Sequence, residues 1–394
     1  MVVFSAYPFD PRPRRAADAL LGQGMEVDLV CVGEGEAPRR ERIGGLSILR
    51  VPITSQRGGK LSYVYRYLVF ILAAGAVFAF RSFRRRYDLV YVHNMPDVLV
   101  VSSFVPKLLG AKVILDLHDP MPELMTTIYG LEPSSFGVRL IQWLERWSMA
   151  RADLALTVNI ACKRIFAERS CPAEKIGVVM NSPDERIFPL RPPEPRPAAD
   201  AGSAPRFVIM YHGSLVERNG LELAVSALPR VREAVPGVEL KVYGRKTAFL
   251  ESVMEEARRQ GVDECVSYLG RKSLEDLVGE IAACDVGIVP NQRNAFTDIN
   301  TPTRIFEYLT MGKPVIAPWT PGIQDYFDQE SLFFFESGNA EQLAERIVHV
   351  HDHPAEAVEV TQRGQQVYSD HRWSRERNAL VGLVSGLLPG EARQ

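Results

Sequence analysis

The opening of the chain sets the strongest limit on its fold. Residues 1–5 are a short apolar run of the kind buried in a sheet, and PFDPRPRR (8–15) is a polar loop. Residues 14–23 carry a helical pattern closed by Gly24, and MEVDLVCVG is a second apolar run. Strand, polar loop, helix, strand begins a doubly wound α/β sheet, because parallel neighbours need a crossover that covers the sheet face. Such sheets bind ligands beyond the carboxyl ends of their strands. The first loop lies at such an end, so Asp10 and Arg15 are candidate ligand-binding residues, while Arg12 reads as part of a solvated loop.

The pattern repeats. YDLVYVH (87–93), KVILDL (112–117), ADLALTVN (152–159) and IGVVMN (176–181) read as strands, with a helical stripe of Val138, Ile141, Leu144 and Trp147 over 136–149. His93 and Asn94 stand at one strand end and His118 and Asp119 just past another, which points to a site rather than to chance. Asp119 and Glu123 could orient His118 or meet an acceptor, although Glu123 also suits a helix start. PLRPPEPRPAADAGSAPR (189–206) is rich in Pro, Ala and Arg and reads as an extended linker. Beyond it FVIMYHGSLVERNG (207–220) repeats the strand-to-loop pattern. Gly213 and Ser214 let a ligand approach the backbone, and the fork of Arg218 suits a diphosphate. A helix over 220–234, strands ELKVYGR (239–245) and VSYLGRKS (266–273), a helix over 274–283 and strand DVGIVP (285–290) continue the series.

Residues 294–318, NAFTDINTPTRIFEYLTMGKPVIAP, read as loop, helix, Gly stop and strand. Thr301 is the expected cap, with Pro302 at the first helical position. Gly312 ends the helix and Pro314 follows. A helix start after a polar loop offers backbone N–H groups and a positive dipole end, which suit phosphate. Asn300, Thr301, Pro302 and Thr303 are therefore candidate phosphate-binding residues. Glu307 lies about 9 Å further along the axis, where a carboxylate can accept hydrogen bonds from a sugar diol. An ordinary capped surface helix has the same spacing.

At 394 residues the chain has room for about two domains. It is 46% hydrophobic and 24% charged with a net charge of −2, which suits a globular chain and gives no case for nucleic acid. The five cysteines are scattered without a CxxC pair, which implies a reducing compartment and no zinc site. MVVFSAYPFDPRPRR has too short an apolar run for a cleavable signal peptide, so a cytoplasmic location is expected. Residues 63–86 stand apart. Leu68 to Phe80 is uncharged and mostly apolar, and Arg81, Arg84, Arg85 and Arg86 follow. The uncharged run is shorter than the ~20 residues that span a bilayer. It suits an interfacial helix on an anionic membrane, at the inner face of the cell membrane, or a crossover helix packed on the sheet with a solvated basic end.

The run FEYLTMGKPVIA resembles the signature of the family-4 retaining glycosyltransferases of the GT-B architecture. The LDLHD and HGSLVERNG runs support the resemblance in the same order, and it covers nearly the whole chain. It implies an α/β GT-B fold, two Rossmann-like domains facing each other across a cleft. The first would be an acceptor domain over 1–188 and the second a nucleotide-sugar domain over 207–370, with the terminal helix of 371–394 returning to the first. Glu307 matches the second Glu of the family signature; Ile299 stands where the first belongs, flanked by Asp298 and Asn300. The family commonly has Arg-Lys-Gly where this chain has Arg218-Asn219-Gly220, and Lys246 is a candidate for the missing cation. By the same resemblance His118 lies at the donor sugar and the segment at Gly270, Arg271 and Lys272 passes the base, Lys272 being solvated. The implied reaction is retaining transfer from a nucleoside-diphosphate sugar to a glycan or lipid-linked acceptor, by front-face substitution and without a cofactor or metal, since no Asp-x-Asp motif is present. His118, Asp119 and Arg218 are its expected catalytic residues. An epimerase of GT-B fold, turning over donor alone, and a binding protein that has lost catalysis are the alternatives.

Overall fold

The computed structural model describes residues 1–33, 35, 37–53, 60–195 and 206–388. The chain divides into two compact units, one of Met1–Asn181 with the chain from Arg375 onward, the other of Ser182–Ser374. Residues 196–205 of the expected linker and 389–394 of the expected terminal helix lie outside the described residues.

The first unit is built on strands β1 (Val2–Ala6), β2 (Val27–Val32), β3 (Arg40–Ile43), β4 (Leu46–Val51), β5 (Leu89–His93), β6 (Lys112–Leu117), β7 (Leu154–Thr157) and β8 (Ile176–Val178). Their order is β3-β4-β2-β1-β5-β6-β7-β8. All neighbours are parallel except the β3–β4 hairpin. The strand order reverses at β1 and β5, which is where an open sheet leaves a crevice. Central strands are buried on both faces: Val30, Val92, Val113, Ile114 and Leu115 are inaccessible. The terminal helix Trp373–Leu387 closes this unit, with Glu376 accepting from the Met180 amide at 2.7 Å.

The second unit has a six-stranded sheet of β9 (Phe207–His212), β10 (Val238–Tyr243), β11 (Val266–Tyr268), β12 (Val286–Ile288), β13 (Val315–Pro318) and β14 (Phe333–Phe335), ordered β11-β10-β9-β12-β13-β14. It is parallel throughout and reverses at β9 and β12. One core runs from Ile209, Val242 and Ile288 to Leu228 and Val231 of the Leu221–Ala234 helix and Ile347 of the Ala340–Asp352 helix. The first half of the expected linker is not a free spacer. The Arg191 amide donates to Thr310 O at 2.8 Å and Gln365 Nε2 donates to Arg191 O at 2.7 Å, so the backbone there is tied to the second unit.

The apolar stretch forms one helix, Lys60–Ser82, of 23 residues. At about 1.5 Å per residue it is long enough to cross a bilayer core, and Val64–Ser82 is apolar enough as well, which corrects the shorter span expected. The helix continues beyond the uncharged run because Arg66 and Arg81 are accommodated at its ends. One side packs on the sheet: Phe70, Ala74 and Phe78 are buried, and Phe70 meets Phe4 edge-on at 5.2 Å. The other side is uncovered, and only 22% of Val64–Ser82 is buried.

Candidate active site

In the second unit the candidate residues gather where β9 and β12 end. Buried β9 ends at His212, and the chain leaves it through Gly213 at φ +131°, a backbone state that a side chain would strain. Tyr211 Oη and Asn219 Nδ2 both donate to Ser214 O, at 3.0 and 2.8 Å, and fix the turn. Arg218 sits in the 3₁₀ turn Glu217–Asn219, with its guanidinium 5.8 Å from the Phe296 ring, and its carbonyl accepts from the Gln292 amide at 3.1 Å. The exits of β9 and β12 are thereby joined. Gly220 is required at the next turn: it has φ +69°, and a Cβ there would lie 1.8 Å from Pro290 O.

The following loop leads into the Thr303–Thr310 helix. Here the expected cap is corrected. Pro302, not Thr301, holds the cap position and makes no side-chain cap, while Thr301 Oγ1 donates to Gly322 O at 2.7 Å. Thr301 is pulled inward because the Gly322 carbonyl is buried beside it. No side-chain oxygen caps the helix start, although the Ile305 amide donates to Pro302 O at 3.0 Å, and a helix start of this kind suits an anion. Asp298 is ion-paired to Arg293 at 3.1 Å, and its buried Oδ1 has no hydrogen-bond partner among the described residues. The amide of Asn300 closes the Thr297–Ile299 turn.

Glu307 stands on the same helix, half-buried, with Oε2 3.3 Å from His212 Nε2. That contact is not aligned as a hydrogen bond. Burial, reinforced by the Arg304 charge, pushes the His212 imidazole down to about 3, so it is neutral and forms no ion pair. Lys246 lies exposed at the exit of β10 and pairs with Glu251 at 3.2 Å, and Arg271 is exposed beyond β11. The two exits are joined by the Gly244 amide donating to Gly270 O at 3.0 Å.

Arg304 is the main residue the sequence pattern misses. Only 7% exposed, it sends Nη1 to His212 O at 3.1 Å and Nη2 to Asn291 Oδ1, and its Nε has no hydrogen-bond partner among the described residues. Its position next to the helix start is the available signal, but an Arg on the first turn of a surface helix normally reads as solvated.

In the first unit the strand ends hold a buried polar network. Asp10 caps the Pro11–Leu21 helix, accepting from the Arg12 amide at 3.2 Å and from Ser5 Oγ at 3.0 Å. Arg12 is not solvated. It is 7% exposed, pairs with Asp116 through Nε and Nη2 at 3.0 and 2.6 Å, and donates to Val179 O and Asn181 Oδ1. The prolines at 11 and 13 start the helix early and turn Arg12 toward the sheet. Arg15 donates to the same Asn181 Oδ1 at 3.1 Å. Burial alone would raise the Asp116 carboxyl, but Arg12 and His93 hold it well below the usual carboxylate range.

Three expected acceptor-side residues are corrected. His93 is wholly buried, 3.4 Å from Asp116 Oδ2 and stacked at a tilt on Tyr91, so it belongs to the core network. Burial lowers its pKa. Asn94 is 2% exposed and works on the backbone: Oδ1 accepts from the His118 amide at 3.1 Å, and Nδ2 donates to Asp119 O at 2.8 Å and Asp97 Oδ1 at 3.1 Å. Glu123 is held by Arg169 at 2.5 and 2.9 Å, and Arg169 also grips buried Glu145, so the carboxylate is engaged in a structural ion-pair cluster. His118 and Asp119 remain half-buried past the end of β6, and His118 Nδ1 has no hydrogen-bond partner among the described residues.

Comparisons with known proteins bear on this arrangement. Residues 10–182 match the family described as glycosyl transferase 4-like domain, and residues 206–353 match glycosyl transferases group 1. The chain is 24% identical over 248 residues to "Probable glycosyltransferase WbjE" of Pseudomonas aeruginosa, covering 61% of this chain and 59% of that protein. It is 25% identical over 189 residues to the GDP-mannose-dependent monoacylated alpha-(1-6)-phosphatidylinositol monomannoside mannosyltransferase of Corynebacterium glutamicum, covering 47% and 48%. Among solved structures, sucrose-phosphate synthase of Thermosynechococcus elongatus superposes with a TM-score of 0.74 at 18% identity over 95% and 92% of the two chains. HepE of Anabaena in complex with UDP superposes with a TM-score of 0.70 at 16% identity over 98% and 99%.

Proposed function

Because the chain belongs to the family-4-like glycosyltransferases of GT-B fold, we propose that it moves a sugar from a nucleoside-diphosphate sugar to an acceptor hydroxyl with retention at the anomeric carbon. The observation that carries this reading is the uncapped start of the Thr303–Thr310 helix beside Gly213, Arg218 and Glu307 at the strand-order reversal of the second sheet. Backbone amides at the start of the Thr303–Thr310 helix and the Arg218 guanidinium stabilise charge growing on the departing diphosphate, where fixed donors contribute most. Glu307 accepts from the ribose diol. On the first unit, His118 and Asp119 serve the transferred sugar and the acceptor, and the Asn94 amide group fixes the backbone that carries them.

The step is a front-face substitution. The bond from the anomeric carbon to the phosphate oxygen breaks, the acceptor oxygen bonds to that carbon on the same face, and the hydroxyl proton passes to the leaving phosphate. Charge is stabilised by side chains and amides, without a metal. A solved neighbour of the same fold, HepE, is in complex with UDP, which supports a nucleotide-sugar donor.

The acceptor in this reading is lipid-linked. Leu68, Leu72, Phe80 and Phe83 are 55–77% exposed along and just beyond the Lys60–Ser82 helix, followed by Arg84, Arg85 and Arg86. Phe104 and Leu108 of the Phe104–Leu108 helix, which contacts it, are 61% and 71% exposed. An apolar face with a basic flank suits an anionic membrane surface, which supports a peripheral position at the cytoplasmic face. The similar mannosyltransferase of Corynebacterium glutamicum is named for a phosphatidylinositol mannoside. A thermal-shift screen with UDP, GDP, ADP, CMP and their sugar conjugates tests the donor site. One base should raise the melting temperature, and no response to any of them would remove the donor assignment.

A further inference from the structure

We propose that Arg304 is a positioning residue for the diphosphate, a fixed cation buried directly beneath the Gly213 turn. The inference rests on the reading above that a nucleoside diphosphate binds at this strand-order reversal. It draws on three independent features of the geometry.

First, the guanidinium spans the two strands that flank the reversal. Nη1 binds His212 O at the end of β9, and Nη2 binds Asn291 past the end of β12. Sheets of this kind leave their crevice between such strands. Second, the turn above it has no side chain. A Cβ at Gly213 would lie 3.1 Å from Arg304 Nη1, so the bare turn packs close against the charge. Third, the cation has no carboxylate partner among the described residues. It donates to a carbonyl and an amide oxygen, Nε has no hydrogen-bond partner among those residues, and the flank of the group rests on the Tyr211 ring at 5.0 Å. A buried cation that no anion neutralises is costly unless something else uses its field. Burial first, and this charge second, hold the neighbouring His212 imidazole below its ordinary range.

A diphosphate over Gly213 would supply the missing negative charge. The charge would act through the turn, adding to the positive end of the Thr303–Thr310 helix on whose first turn Arg304 stands. A monophosphate, carrying less charge at that point, would gain less. The readout is therefore the ratio of diphosphate to monophosphate affinity, which a purely structural role would leave alone.

The test is calorimetric titration of the full chain with GDP, UDP, GMP and UMP, using wild type, Arg304→Gln and Arg304→Lys. Arg304→Gln is expected to lose roughly tenfold or more in affinity for the preferred diphosphate and much less for its monophosphate. Arg304→Lys, which keeps the charge and loses the fork, is expected to keep most of the ratio. Equal losses for both nucleotides, or no loss, would overturn the proposal. If Arg304→Gln does not fold, Arg304→Lys decides: a collapsed ratio in a folded Lys variant excludes a charge role. Failure of wild type to bind any of the four defeats the donor-site reading itself and takes this inference with it, an outcome distinct from wild-type binding that is indifferent to Arg304.

Discussion

At the residue scale, buried charge separates scaffold from site. Asp97 follows β5, and burial, with repulsion from Glu145, raises its carboxyl to about 7. The unfolded chain ionises this group near 3.8. Between these values the folded state holds the extra proton, so stability falls as pH rises from about 4 to about 7. Asp97→Asn should remove a penalty of up to about 4 kcal/mol at pH 8, and should flatten the pH dependence of urea midpoints over that window. An unchanged profile would show that Asp97 ionises normally. Glu307→Ala should weaken nucleotide binding roughly tenfold with the melting temperature of the free protein nearly unchanged; equal affinities by calorimetry would take Glu307 out of the site. Glu307 and Arg218 could be seen in the sequence because each stands at a fixed offset from a Gly or Pro that ends an element. Arg12, His93 and Asn94 could not be assigned that way. Whether a polar side chain at a strand end turns into the sheet depends on partners such as Asp116, far away in sequence.

At the element scale, periodicity locates most strands and helices because buried parallel strands are nearly continuous apolar runs. The β3–β4 hairpin escapes it. Arg40–Ile43 is a charged, largely exposed edge strand whose burial pattern carries no alternation, a form that discourages edge-to-edge pairing. The length of the Lys60–Ser82 helix is also hidden, since Arg66 interrupts the apolar run without interrupting the helix. Its uncovered face leads to a direct prediction. Leu72 is 72% exposed and Leu68 55% exposed, so Leu68→Glu/Leu72→Glu should cost little stability. It should nevertheless move the protein out of the floating fraction with vesicles of anionic phospholipid, while vesicles of neutral lipid should hold wild type less well. Wild type that stays soluble with anionic vesicles would end the membrane assignment.

At the scale of the whole molecule, two sheets with the same winding do different work. The second places an uncapped helix start, two strand exits and a buried Arg304 together at its strand-order reversal. The first fills the corresponding region with the Arg12–Asp116 ion pair beside buried His93, whose ring nitrogens have no hydrogen-bond partner among the described residues, and leaves His118 and Asp119 half-buried beyond β6. A cation without a carboxylate partner attracts an anion, whereas one paired to Asp116 is already neutralised. Nucleotide should therefore grip the second unit. Hydrogen exchange with and without saturating nucleoside diphosphate tests this directly. Peptides covering 212–220 and 291–307 should gain protection, since ordering a loop suppresses its local opening. Peptides covering 87–97 and 112–119 should change little with diphosphate alone and respond only when the sugar is attached. Protection that begins in the first unit with the bare diphosphate would reverse the assignment of donor to the second sheet, because charge complementarity and not fold resemblance is what assigns it there.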